Sequence, residues 1–162
     1  EPQLKPQPQQ SQVAVGKDAF VKAYTPVAKE VAADLGVSYK VVLAQAALES
    51  GWGKSVKGNG LMGVKSHGVS GGQTFTTHEE INGERVKITD SFRQYDTPED
   101  SVRGYADFLK SNPRYRYFLA AGQGNEDAQL MALQESGYAT DSKYAQKLKA
   151  IMKGLPDDGA DT

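Results

Sequence analysis

Apolar residues recur at helical spacing along most of this chain and alternate with polar ones in a single stretch. Residues 16–35 place Phe20, Val27, Val31 and Leu35 on one face and predict a first helix, with Pro26 positioned to kink or split it. Residues 38–48 repeat Tyr39, Val42, Leu43, Ala46 and Ala47 at the same period. Ser38 is a suitable N-cap there, and Gly51 a suitable left-handed stop. Residues 54–72 carry six glycines and read as loop. Residues 73–92 read as a β-hairpin turning at Asn82-Gly83. Thr97-Pro98-Glu99 opens another helix, running to about Lys110 and burying Val102, Tyr105 and Leu109. Asn112-Pro113 ends it. A short helical piece at 115–121 and two closing helices at 126–136 and 142–153 complete the pattern. The expected fold class is α+β, mainly α: a helical domain with a small β-hairpin lobe beside a cleft.

Composition sets the frame for that domain. With 162 residues and 38% hydrophobic content, one core of useful size is expected. Residues 1–15 are rich in Pro and Gln and read as a flexible linker, residues 16–155 as the domain, and residues 156–162 as a disordered acidic tail. The missing Met and signal-like run at the start suggest a fragment of a longer chain. A net charge of -1 and pI near 6.2 argue against nucleic acid as a partner. No stretch is apolar over the roughly 20 residues a membrane span needs. The chain has no Cys, which excludes thiol catalysis. His67 and His78 lack Cys partners and i,i+4 spacing, so neither metal nor cofactor is expected.

Two carboxylates stand out. Glu49 ends the second helix, beside Val42 and Ala46 at the edge of the core-facing stripe, in the turn where the helix dipole disfavours negative charge. Partial burial and the dipole both push its pKa upward, as a glycosidic general acid requires. A surface glutamate bonded to a loop amide is the plainer reading of the same position. On the hairpin, a two-residue turn pairs Ile81 with Glu84, Glu80 with Arg85, Glu79 with Val86 and His78 with Lys87. Glu80 is then half of a solvated ion pair, while Glu79 is the lone acid on the more apolar face. A bulge would exchange the two.

The segment Ala44 to Gly53 resembles the catalytic-helix motif of peptidoglycan-cleaving N-acetylglucosaminidases of lysozyme-like fold. The likeness continues through Gly60-Leu61-Met62-Gly63, Phe92-Arg93-Gln94-Tyr95, Asn112-Pro113-Arg114-Tyr115 and Gly137-Tyr138-Ala139-Thr140-Asp141, and ends at Tyr144-Ala145 and Lys147-Leu148. It is nearest to the C-terminal hydrolase domain of bifunctional flagellar rod-assembly proteins. The resemblance implies cleavage of the β-1,4 bond after N-acetylglucosamine, with Glu49 as general acid and Glu79 as second acid. Either Tyr138 or Tyr144 assists catalysis or orients the substrate, and core packing is the alternative for each. Gln45, Ser50, Trp52, Asn59 and Met62 are the expected substrate contacts. Met62 stands where the family has Phe, and Asn59 is placed to supply the amide that Gly60 lacks. Lys54, Lys57 and Lys65 could meet acidic stem peptides. Implied partners are glycan strands and flagellar rod proteins, through a missing upstream domain. A monomer and a periplasmic location are expected. The alternatives are a lytic transglycosylase, which shares the fold and the Glu-Ser helix end, and a non-catalytic glycan-binding or scaffold module.

Overall fold

The computed structural model describes residues 13–63, 73–122 and 124–156; the side chains of 73–79 and 87–92 are outside that description. The elements run α1 (Lys17–Leu35), α2 (Tyr39–Ser50), β1 (Gln73–Ile81), β2 (Glu84–Phe92), α3 (Pro98–Ser111), a 3-10 turn (Pro113–Tyr115), α4 (Arg116–Ala120), α5 (Glu126–Glu135) and α6 (Tyr144–Lys153). Most boundaries lie within two residues of those the sequence predicts. Pro26 does not split α1; the helix is unbroken around it, and the Thr25 hydroxyl donates to the Val21 carbonyl at 2.7 Å.

The second helix departs from expectation in an instructive way. Its residues 41–47 are all buried, not only one stripe of them. α2 is enclosed by α1 on one side and by α5 and α6 on others, so it is the central rod of the body. A helix apolar all round belongs in the middle of a fold. Two caps fix it. Ser38 Oγ accepts from the Lys40 amide at 3.3 Å and donates to Glu126 at 2.7 Å, tying the start of α2 to α5. At the other end Gly51 adopts the left-handed conformation, φ 58° and ψ 46°, and its N–H returns to the carbonyls of Ala47 and Leu48.

α3 packs on α1 and lends Val102, Tyr105, Ala106 and Leu109 to the same core. Its start is capped by Thr97, whose Oγ1 accepts from the Asp100 amide at 3.0 Å, with Pro98 at the first helical position. The hairpin is a two-stranded antiparallel sheet, and all four predicted pairs occur, from Ile81 with Glu84 to His78 with Lys87. Asn82 and Gly83 both have positive φ, as a type I′ turn requires.

Of residues 13–15, placed by the sequence reading at the end of a linker, Val13 and Ala14 are half-buried and Val15 is exposed. Val13 and Ala14 lie against the core, and the Ala14 amide donates to the Tyr24 hydroxyl at 2.9 Å. This segment passes so close to the turn after α2 that a Cβ on Gly53 would stand 2.1 Å from the Ala14 carbonyl oxygen. Residues 1–12 and 157–162 lie outside the described residues, as do His67, Lys65 and the side chain of His78. Among the described residues no group of His, Cys, Asp and Glu could hold a metal ion, and no helix is long and apolar enough to cross a membrane.

Candidate active site

The last turn of α2 opens onto a cleft of about 890 Å³. Its walls come from the loop after α2 (Gly60, Met62, Gly63), the hairpin tip (Glu80, Gly83, Arg85), the end of α3 with the turn beyond it (Phe108, Asn112, Arg114, Tyr115) and the segment leading into α6 (Gly137 to Tyr144). Glu49 lines this cleft and is partly exposed to it, and Tyr138 and Tyr144 line it too.

The α2 period, with Tyr144 opposite, sets the surroundings of Glu49. Its Oε2 accepts a hydrogen bond from the Tyr144 hydroxyl at 2.8 Å. Tyr144 also accepts from Gln45 Nε2 at 3.0 Å, and Gln45 Oε1 accepts from the Tyr105 hydroxyl. Gln45 is one turn before Glu49, so both side chains reach the same partner. Burial raises the pKa of Glu49 to about 7, while the Tyr144 hydrogen bond acts in the opposite direction. A carboxyl of that pKa is substantially protonated at neutral pH and can donate a proton into the cleft. Burial also pushes the phenols of Tyr138 and Tyr144 up, and the nearby Glu49 charge adds to this. They stay neutral donors. Tyr138 stacks on Tyr144 with ring centroids 5.9 Å apart, and its hydroxyl points to the Met62 carbonyl at 3.4 Å.

The structure separates the predicted contact residues into two groups. Met62 joins Glu49, Tyr138 and Tyr144 at the cleft, its side chain almost fully covered. Gln45, Ser50, Trp52 and Asn59 are not among the residues that line it. Gln45 is fully buried and reaches Glu49 through Tyr144. Ser50 is fully buried too; it donates to the Ala46 carbonyl at 2.6 Å and accepts from the Gly53 amide at 3.0 Å, which makes it a fastener of the helix end. Trp52 packs edge-on to Phe20, centroids 5.8 Å apart, because the left-handed turn at Gly51 sends the chain toward α1. The Asn59 amide donates to the carbonyls of Tyr95 and Asp96 at 3.0 and 3.2 Å, holding the loop to the entrance of α3.

On the hairpin, Glu79 pairs with Val86 as expected; its side chain lies outside the described residues. Glu80 is not the solvated half of an ion pair with Arg85. It lines the cleft, its amide donates to Thr140 Oγ1 at 3.1 Å, and its Oε1 accepts from the Ser142 amide at 3.3 Å. These bonds dock the hairpin tip on the segment before α6. Sequence reasoning did not single out Tyr105, Phe108, Tyr115, Arg93 or Arg114 for the site. Three of them sit inside quoted motifs, and Tyr105 was read only as core, since helical period gives burial but not the partner of a buried hydroxyl.

The chain matches the profile of the glucosaminidase family, described as mannosyl-glycoprotein endo-beta-N-acetylglucosaminidase, over residues 25–156. It is 38% identical to the peptidoglycan hydrolase FlgJ of Escherichia coli across 86% of this chain and 48% of that protein. It is 40% identical to the exo-glucosaminidase LytG of Bacillus subtilis across 70% of this chain and 42% of that one. The chain therefore spans less than half the length of these relatives. Among solved structures, a peptidoglycan hydrolase mutant from Sphingomonas superposes with a TM-score of 0.76 at 39% identity, covering 85% of this chain and 94% of that one. A truncated glycoside hydrolase domain of FlgJ from Salmonella typhimurium superposes with a TM-score of 0.64 at 34% identity, covering 84% and 95%.

Proposed function

The chain belongs to the glucosaminidase family, and on that premise we propose that it hydrolyses the β-1,4 bond between N-acetylglucosamine and N-acetylmuramic acid within peptidoglycan strands. The observation that carries this reading is Glu49: a carboxyl with a pKa of about 7, open to a large cleft and held by Tyr144. In this reading Glu49 protonates the leaving oxygen as positive charge develops on the N-acetylglucosamine ring. Glu79 is the second acid. It either activates water, which inverts the anomeric centre, or supports attack by the substrate's own 2-acetamido group, which retains it. Tyr144 orients Glu49, and the stacked Tyr138 supports Tyr144 and the cleft wall. Met62 is the substrate contact retained from the sequence expectation.

A role in opening the cell wall for flagellar rod assembly, in the periplasm, accompanies this reading. It rests on the likeness to FlgJ, of which this chain spans 48%.

The test is Glu49→Gln assayed on purified sacculi. Turnover falls by about a thousandfold or more while sedimentation with sacculi is unchanged. Full turnover in the variant contradicts the role of Glu49. No turnover by the native chain, with binding intact, turns the reading toward a glycan-binding module.

A further inference from the structure

The hydrogen bonds behind Glu49 run in one direction. Tyr105 donates to Gln45 Oε1, Gln45 Nε2 donates to Tyr144, and Tyr144 donates to Glu49 Oε2. An amide nitrogen donates and does not accept, so the Tyr144 proton goes to the hydroxyl's other partner among the described residues, Glu49. Turning the Gln45 amide over would reverse the chain. The Tyr105 hydroxyl would then lose the acceptor that the described residues give it, at a fully buried position. An unsatisfied buried donor is costly, and the observed polarity avoids it.

This polarity divides the two oxygens of Glu49. Oε2 is occupied as an acceptor from Tyr144. Oε1 lies on the side of Gly63, where a Cβ would stand 3.7 Å from it, and Gly63 lines the cleft. We propose that Gln45 and Tyr105 are positioning residues that lock Tyr144 as a donor to Oε2 of Glu49 and thereby keep the acid's proton on Oε1, toward the substrate. The proposal rests on the reading of Glu49 as the acid, yet the lock itself is a property of the free protein. Neither positioning residue touches the cleft.

The titratable groups around Glu49 are the phenols of Tyr144 on α6, Tyr138 before it, Tyr105 on α3 and Tyr115 on the turn after α3, all raised by burial. Charged groups border the cleft from the other elements: Lys57 from the loop after α2, Glu80 and Arg85 from the hairpin, and Arg93 beyond it. Arg114 follows α3, and Asp141, Lys143 and Lys147 flank the start of α6. The substitutions below leave all these charges in place.

The experiment follows the Glu49 side-chain carboxyl by carbon NMR across a pH titration in the full chain, for Tyr105→Phe, Gln45→Leu, Tyr144→Phe and the Gln45→Leu/Tyr144→Phe double variant. Tyr144→Phe removes a donor to the ionised form, so the midpoint rises by about one pH unit. In Tyr105→Phe the Gln45 amide turns over and takes the Tyr144 proton, so Tyr144 accepts from a protonated Glu49. In Gln45→Leu, Tyr144 loses the donor that strengthens its own bond to the carboxylate. Both changes favour the neutral form and raise the midpoint. The double variant moves no further than Tyr144→Phe alone. On glycan, Tyr105→Phe lowers kcat by about tenfold with KM within about twofold, and the alkaline limb of the kcat profile moves with the titration. A Glu49 midpoint unmoved in both Tyr105→Phe and Gln45→Leu overturns the lock, whatever happens to kcat. Coupled midpoints in a chain that cleaves no peptidoglycan support the lock and contradict the glycosidase reading alone.

Discussion

Glu49 and the hairpin meet across one cleft but are held there by different means. Glu49 stands on a helix whose residues 41–47 are all buried, with a capped end and three further side chains hydrogen-bonded in series behind it. The described hairpin tip, residues 81–85, is exposed, and Glu80 bonds it to Thr140 and Ser142. A proton donor that must be kept neutral needs a rigid, water-poor setting, because burial is what raises its pKa. A group that meets substrate after the chain has threaded the cleft can sit on a lobe docked by a few polar bonds. Under the proposed function, acid strength belongs to the body and access to the lobe.

The sharpest way to break this division is at Glu49. Changing it to Gln removes turnover, by about a thousandfold or more. It also stabilises the fold at alkaline pH. The folded pKa of about 7 lies above the ordinary 4.5, so native stability is fully present below about pH 4.5 and falls as pH rises toward 7. Glu49→Gln is free of that loss, and its Tm exceeds the native value by more at pH 8 than at pH 5. An equal Tm difference at both pH values would show that burial does not hold the acid neutral.

Next in size is the lobe. Glu79→Gln lowers kcat by about a hundredfold, whereas Glu80→Gln, which weakens docking of the tip, raises KM by about threefold and leaves kcat nearly intact. Equal losses of kcat would mean that the second acid was misassigned. Tyr144→Phe is expected to be milder, about tenfold in kcat, with the alkaline limb of the profile displaced upward because the lost hydrogen bond favoured the charged form. Thermal unfolding supplies the smallest effect. Ile81→Ser at the exposed tip changes stability by no more than about 0.5 kcal/mol, against about 2–5 kcal/mol for Leu133→Ala in the core. A large cost at Ile81 would show that the lobe is part of the body's packing.

Much of this was legible in the sequence because local signals agreed with the fold. Thr97, Pro98 and Gly51 mark helix ends, and Asn82-Gly83 fixes a register that alternation alone would leave free. The all-round burial of α2 was not legible. A stripe argument presumes one face toward the core, so it leaves out Val41, Ala44 and Gln45, of which Ala44 is compatible with either surface and Gln45 is polar. Most of the expected contact residues stand away from the cleft for a related reason. Trp52 and Ser50 are close to Glu49 in sequence, yet a helix turns about 100° per residue and Gly51 reverses the chain, so Ser50 is buried and Trp52 packs half-buried against Phe20. Gln45 fared differently: one helical turn away, it shares a partner with Glu49 without reaching the cleft. Tyr105 comes from another helix, and its meeting with Gln45 depends on how α3 packs.

The most direct test of the account is mass spectrometry of borohydride-reduced fragments after digestion of purified peptidoglycan, run in parallel with the native chain and Glu49→Gln. Reduced N-acetylglucosamine ends produced by the native chain and absent with Glu49→Gln are the predicted result. Anhydro-muramic ends, or identical ends from both proteins, would contradict it.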